Sequence, residues 1–295
     1  MSDFVTRSFT FQNEGSRLAA TLTLPATFEG APLPTVVITG AWTTVQEQMP
    51  RNYAHAMVSR GYAAVTFDFR GWGKSGDLPG GVRYLENPQA KTSDICAAIA
   101  ATAARPEVAA ENLNGLGICA SAGYMVDAVS GNPAIRAVGL VAPWLQNAAL
   151  VEAVYGGAEG VAGLIAMGRA AQAAGGQIIR AAGPEGADGV LMPLGGYYWE
   201  PSRGAVPEYD DRWNVASWEG WLTYHPADHA AALDKPLALV HSDNAMIPDG
   251  ARAFAAAAAA PVTEAWFDAF DQFDFYDRPM AVQMAADVLA KHFVG

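Results

Sequence analysis

Short apolar runs bounded by glycine or proline alternate along this chain with segments whose apolar residues recur every three or four positions. Residues 21–25 alternate polar and apolar before stopping at Pro25, the mark of a half-buried strand. Residues 34–40 form an apolar run that ends at Gly40, and residues 63–69 form another, so both read as buried strands. Between them Tyr53, Ala54, Met57 and Val58 carry helical spacing from Pro50 until Gly61. The same reading gives a helix over 94–104 and strands over 112–118, 137–142, 236–241 and 263–267. A closing helix runs from about Pro279 to Phe293.

Strand and helix alternating in this way predict an α/β fold, a mostly parallel sheet with helices on both faces. One interval breaks the rhythm. Residues 146–234 hold a helical Ala/Gly/Met stretch around 161–175, then Tyr197, Tyr198, Trp199, Trp213, Trp218 and Trp221. A gap of this length between sheet strands exceeds an ordinary connection. It is therefore assigned as a cap inserted into a core built from residues 1–145 and 235–295, its aromatic and Met content predicting an apolar, aromatic-lined pocket. The run from Ala255 to Ala260 is expected to be plain helix, because alanine has the highest helix propensity.

Composition narrows the function classes. Among 295 residues, 51% are hydrophobic and 16% charged, a globular profile. A net charge of −12 opposes phosphate backbones and anionic lipid, so neither nucleic acid nor a membrane is an expected partner. The expected partner is a small-molecule substrate, with self-association left open. Two cysteines, Cys96 and Cys119, are too few for a disulfide framework, and the start of the chain lacks a secretory pattern, so a cytoplasmic protein is expected. No apolar run approaches the roughly 18 residues of a membrane span.

The turn after residues 112–118 is where chemistry concentrates. Gly117-Ile118-Cys119-Ala120-Ser121-Ala122-Gly123 lies between a predicted strand and a predicted helix, the setting of a nucleophile elbow. Either Cys119 or Ser121 fits the small-residue requirement two places on each side. Cys119 is preferred because the apolar strand ends at Ile118 and an elbow nucleophile follows its strand directly, with Ser121 the alternative. A thiol there is expected to have its pKa lowered by the helix N-terminus. Oxyanion donors are expected from the backbone N–H of Ala120 and from Ala41 or Trp42, in the loop leaving the earlier strand.

With these motifs the chain resembles the α/β-hydrolase family, and within it the dienelactone-hydrolase-like branch, whose elbow is similar to Gly-x-Cys-x-small. Asp68-Phe69-Arg70-Gly71-Trp72-Gly73-Lys74-Ser75-Gly76 resembles the family's Asp-x-Arg-Gly-x-Gly-x-Ser turn, in which Asp68 and Arg70 would brace the loops below the site. The resemblance implies an acid after the strand ending at His241, where Asp243 is the only carboxylate before Pro248; counting back from Pro248 points to Asn244 instead. It also implies a histidine base after the last strand. That loop has none. On a His-x-Asp-x-Tyr-Asp pattern, Gln272, Asp274, Tyr276 and Asp277 fall in place, and Gln272 occupies the base position.

An amide side chain cannot take up a proton at neutral pH, which harms a serine nucleophile more than a thiol. His241 and Glu47 are the alternative bases. His225 and His229 are spaced as a metal pair but lack announced further ligands, so no metal and no cofactor is expected. Three functions remain open from sequence: an acyl hydrolase or acyl transferase acting on a small ester, thioester or lactone; a cyclase or lyase that holds an enolate without the histidine; or a non-catalytic binder of small molecules.

Overall fold

The computed structural model describes residues 3–294. The chain opens with two long antiparallel strands, β1 (Phe4–Asn13) and β2 (Ser16–Pro25), paired from Phe4 with Pro25 to Asn13 with Ser16. β3 (Leu33–Thr39) leads through a loop into α1 (Met49–Val58), and β4 (Ala63–Phe67) leads through the Asp68–Gly76 turn into α2 (Pro88–Ala103). β5 (Val108–Ile118), α3 (Ser121–Val129) and β6 (Ile135–Val141) complete the first half.

The chain then leaves the sheet. α4 (Ala148–Val154), α5 (Gly157–Ala173), β7 (Ile178–Ala182), β8 (Val190–Met192), β9 (Arg212–Asn214) and α6 (Ser217–Leu222) form a separate layer with its own small sheet, ordered β8-β7-β9. β10 (Leu237–His241), α7 (Pro248–Ala257), β11 (Val262–Trp266), α8 (Asp274–Asp277) and α9 (Pro279–Val294) return to the core. The main sheet has eight strands in the order β1-β2-β4-β3-β5-β6-β10-β11, antiparallel at the β1-β2-β4 edge and parallel across the rest. This is the α/β-hydrolase fold.

Inner parallel strands are buried on both faces, which is why they read as unbroken apolar runs: β4 is buried at every position, and so is β10. β1 was not expected. Most of its residues are exposed at the sheet edge, so the sequence FVTRSFTFQN mixes polar and apolar residues without a clear apolar run. The alanine run corrects another expectation, because α7 ends at Ala257 and residues 258–260 lie outside it, just before Pro261. A proline disfavours helix in the residue before it.

Backbone strain collects at one edge. Thr43 (φ 64°), Cys119 (φ 56°), Ala142 (φ 43°) and Ile247 (φ 43°) all follow the carboxyl ends of β3, β5, β6 and β10. Left-handed conformations at non-glycine residues are unfavourable and persist where surrounding structure enforces them, which is common at functional sites.

Candidate active site

Cys119 stands at the apex of the turn between β5 and α3. Its N–H donates to the Val141 carbonyl at 3.1 Å, and its own carbonyl accepts from Ala122 and Trp144 at 3.1 and 3.0 Å. These bonds fix the left-handed turn from the β6 side and from the start of α3. Gly117 is required beneath it, since a Cβ there would lie 2.7 Å from the Ala122 Cα and 2.9 Å from the Ser121 carbonyl oxygen, both backbone atoms. Gly123 is similarly pressed against Pro226 and the Tyr224 hydroxyl.

Ser121 is differently placed. Its Oγ donates to the Ile118 carbonyl at 3.1 Å and receives the Ile118 N–H at 3.2 Å, tying the start of α3 back to the strand end. Cys119, not Ser121, opens on a cavity of about 250 Å³ under the cap. Trp42, Trp144, Tyr155, Tyr198, Trp218 and Trp221 supply most of its aromatic wall, and Leu191, Met192 and Leu194 close it from the β8 side. Among the described residues no Asp, Glu, Lys, Arg or His lines this cavity; its titratable groups are Cys119, Tyr155, Tyr198 and Tyr276.

The backbone N–H groups of Trp42 and Ala120 both point at the thiol. One comes from the loop after β3 and one from the elbow, the places from which the two donors of an oxyanion pocket would come. Ala41 is buried but its N–H is not one of the two. The cap clamps this loop: the Trp42 ring packs on Trp221 (centroids 4.7 Å), Trp213 (5.6 Å) and Trp218 (6.2 Å), and the Tyr209 hydroxyl bonds Thr43 Oγ1 at 3.0 Å.

Burial raises the Cys119 pKa above its usual value, even though the neighbouring Tyr276 hydroxyl, the N–H groups of Ala120 and Trp42, and the Gln272 amide pull the other way. The expectation of a lowered thiol pKa is thus corrected. Burial in an aromatic pocket penalises the thiolate more than the helix end and donors favour it.

Gln272 is buried at the cavity floor. Its Oε1 accepts the Met246 N–H at 3.0 Å, and its Nε2 donates to the Ala142 carbonyl and to the Tyr276 hydroxyl, both at 2.9 Å. Asp243 does not reach it. The Asp243 side chain is 54% exposed and pairs with Arg252, whose guanidinium stacks on Trp266 at 3.7 Å. Asn244 is also on the surface, donating to the Asp268 carbonyl at 2.5 Å. The position an orienting carboxylate would hold is filled by the Met246 backbone.

The alternative bases are elsewhere too. His241 is fully buried against Trp266, neither ring nitrogen finds a partner of good geometry, and burial pushes its pKa down to about 4. Glu47 binds Lys74 Nζ at 2.5 Å outside the cavity. His229 bonds Asp127 at 2.6 Å and His225 reaches the Leu222 carbonyl at 3.2 Å, so the two histidines turn to separate partners. Among the described residues no group of three or more His, Cys, Asp or Glu side chains could hold a metal ion.

The Asp68 turn braces the site from below. Buried Asp68 accepts the N–H of Gln46 at 2.8 Å and of Lys74 at 3.0 Å, while buried Arg70 pairs with Asp94 at 2.6 Å and Glu14 at 2.7 Å. Asp68 and Arg70 therefore have separate partners. Tyr276 is the site residue that the sequence left without a role. Its four-residue separation from Gln272 was the available signal, because one helical turn then brings both side chains to the same face.

The comparisons with known proteins agree with this architecture. Residues 14–243 match the family model of the X-Pro dipeptidyl-peptidase (S15 family). The chain belongs to that family. It is thereby one of the α/β-hydrolase superfamily of hydrolases. Over 133 residues it is 37% identical to the uncharacterized protein PA2218 of Pseudomonas aeruginosa, covering 45% of this chain and 35% of the relative. Over 136 residues it is 32% identical to the uncharacterized protein YcjY of Escherichia coli, covering 45% of this chain and 44% of that one. The aligned stretches thus span less than half the length of these relatives.

In structure, all of the chain superimposes on 94% of the PA2218 crystal structure, with a TM-score of 0.84 at 24% identity. A dienelactone hydrolase from Anabaena variabilis superimposes over 99% of this chain and 98% of its own, with a TM-score of 0.60 at 9% identity. At these identities the structural likeness speaks for the fold.

Proposed function

We propose that this hydrolase-superfamily protein transfers a neutral, apolar acyl group through the Cys119 thiol, from a thioester or a reactive ester or lactone to water or another acceptor. The observation that carries the reading is one cavity in which Cys119 faces the N–H groups of Trp42 and Ala120 and no charged side chain is present. Attack by sulfur on a carbonyl would place the developing oxyanion on those two donors.

Two features favour a good leaving group over a peptide. An amine must be protonated as it leaves, and among the described residues the cavity offers for this, besides the thiol, phenols, which are weaker acids than an imidazolium or a carboxylic acid. Removal of a dipeptide also requires a place for a free ammonium terminus, and this cavity offers no carboxylate to receive it. A thiolate or activated alkoxide leaves far more readily. Thioester exchange onto Cys119 replaces one C–S bond by another, so it needs little driving force. The resemblance to esterase-type folds, dienelactone hydrolase among them, supports the same class of chemistry.

The missing base favours a second reading, cyclase or lyase chemistry in which the N–H pair holds an enolate and no acyl-enzyme forms. Incubation with the butyryl thioester of N-acetylcysteamine, followed by mass analysis of the Cys119 peptide, separates the two. The acyl-transfer reading expects a butyryl adduct on Cys119 and a loss of turnover of at least about 10³-fold in Cys119→Ala. Turnover that survives Cys119→Ala, or an adduct on Ser121, would reject it.

A further inference from the structure

The hydrogen-bond polarity around Gln272 can be read without ambiguity. The Met246 N–H can only donate and the Ala142 carbonyl can only accept, so the amide must present Oε1 to the first and Nε2 to the second. Nε2 carries two hydrogens. One is committed to Ala142, and the other reaches the Tyr276 hydroxyl at 2.9 Å. The phenolic oxygen therefore accepts from Gln272, and its own hydrogen must be directed elsewhere. Two groups face it: the Cys119 thiol and the Tyr198 hydroxyl. A histidine at position 272 would have offered a base. The glutamine offers a fixed donor, and its effect is to turn Tyr276 into a donor aimed at the reacting centre.

From this arrangement we infer that Tyr276 is a catalytic residue, relaying the thiol proton to the leaving group, and that Gln272 is the positioning residue that sets its direction. The inference rests on the acyl-transfer reading of Cys119. As the Cys119 sulfur forms its bond to the acyl carbon of R–CO–XR′, the sulfur proton passes to the free lone pair of the Tyr276 oxygen. The phenolic proton passes in the same step to X, the C–X bond breaks, and HXR′ departs. Tyr276 is a neutral phenol before and after, so its strongly raised pKa, caused first by burial, is no obstacle. The Trp42 and Ala120 N–H groups hold the carbonyl oxygen throughout. The surrounding rings keep the phenol in place: Tyr276 packs edge-on against Tyr197 at 5.1 Å and against Phe273 at 5.7 Å.

The test uses the full chain carrying Cys96→Ser, which leaves Cys119 as the one thiol and alters an exposed side chain outside the cavity. Tyr276→Phe keeps the ring and removes the relay. Acylation of Cys119 by the butyryl thioester of N-acetylcysteamine is followed by quenching and mass analysis over pH 6 to 9. Tyr276→Phe is expected to slow acylation by about 10²-fold or more at saturating thioester, with KM little changed.

Alkylation of Cys119 by iodoacetamide needs no leaving-group proton, so it should persist in Tyr276→Phe, with its pH profile displaced upward because the thiolate has lost a donor. Gln272→Glu supplies an acceptor where the donor stood, so the Tyr276 hydrogen turns toward it and the same loss of acylation at near-constant KM is expected. Tyr276→Phe that acylates at the wild-type rate with an unmoved alkylation profile would overturn the relay. Gln272→Glu with wild-type acylation would overturn the positioning role. Absence of any adduct on Cys119 in the parent protein is a different result, and it would remove the nucleophile assignment and the relay together.

Discussion

The two halves of this site are built in different ways. The nucleophile half is made of backbone: a left-handed Cys119, the N–H groups of Ala120 and Trp42, and glycines that let strand, turn and helix close on one another. The half proposed to handle protons lies after β10 and β11 and depends on the side chains of Gln272 and Tyr276, which with the Met246 N–H occupy the space of a base and its acid. A backbone-built feature tolerates little change, because every residue of the turn is held by its neighbours. A side-chain-built feature can be exchanged one group at a time while the loops keep their path. The difference implies that substitutions in the first half should damage fold and activity together, whereas those in the second should alter chemistry with the fold intact.

The sharpest way to break this comparison is at Gly117. A Cβ there meets backbone atoms of Ser121 and Ala122, which have no rotamer through which to yield. Gly117→Val is expected to lower stability by about 1–3 kcal/mol and to abolish acylation of Cys119, read as a fall in the thermal midpoint together with loss of the adduct. A Gly117→Val protein with normal stability and labelling would show that the elbow is less constrained than its contacts imply.

Gln272→His probes the other half and should have a smaller effect. The imidazole would sit between the Met246 N–H and the Ala142 carbonyl, with Asp243 held on the surface by Arg252 and no carboxylate to orient it. General-base catalysis is typically worth about 10²–10⁴-fold. Without its orienting partner this histidine should raise hydrolysis of p-nitrophenyl butyrate by less than about tenfold across pH 5 to 9. A gain of full triad size would mean that the acid loop can rearrange to supply a carboxylate.

The same division explains what could be read from the chain before its structure was known. The parallel strands were legible because burial on both faces leaves uninterrupted apolar runs, as in Ala63–Phe67 and Leu237–His241. That the turn would fall at Cys119 was legible because Ile118 ends such a run. β1 and the small cap sheet were not: the first lies at a solvated edge, and β8 and β9 are three residues long, too short for any period to show. The exposed position of Asp243 was equally hidden, since a carboxylate in the right loop says nothing about whether Arg252, nine residues on, will hold it outward. Tyr276 was visible in a pattern but had no role until the amide polarity of Gln272 was fixed by two backbone groups distant in sequence.

The smallest expected effect concerns the support beneath the nucleophile half. Burial raises the Asp68 pKa from its ordinary 3.8 to about 6, against the hydrogen bonds from Gln46 and Lys74 that oppose the shift. A carboxyl whose folded pKa lies above its unfolded value binds protons more readily when folded, so its ionisation weakens the fold. The penalty is fully present above about pH 6 and fades as the pH falls through 6 toward 4. Asp68 should thus make the protein more stable on mild acidification, opposite to the behaviour of Glu14, whose bond to Arg70 leads the causes that lower its pKa.

Asp68→Asn removes the titration. It also sets an amide N–H against donors that now meet a carboxylate, but that constant loss does not depend on pH. The readout is therefore the slope: between pH 7.5 and 5 the parent should gain on the order of 1–2 kcal/mol relative to Asp68→Asn in urea unfolding. Parallel stability curves for the two proteins would mean that Asp68 is ionised in the fold at its ordinary pKa. The Gln46–Lys74 cradle would then offset its burial in full, and the brace beneath Cys119 would stay charged into mild acid instead of taking up a proton near pH 6.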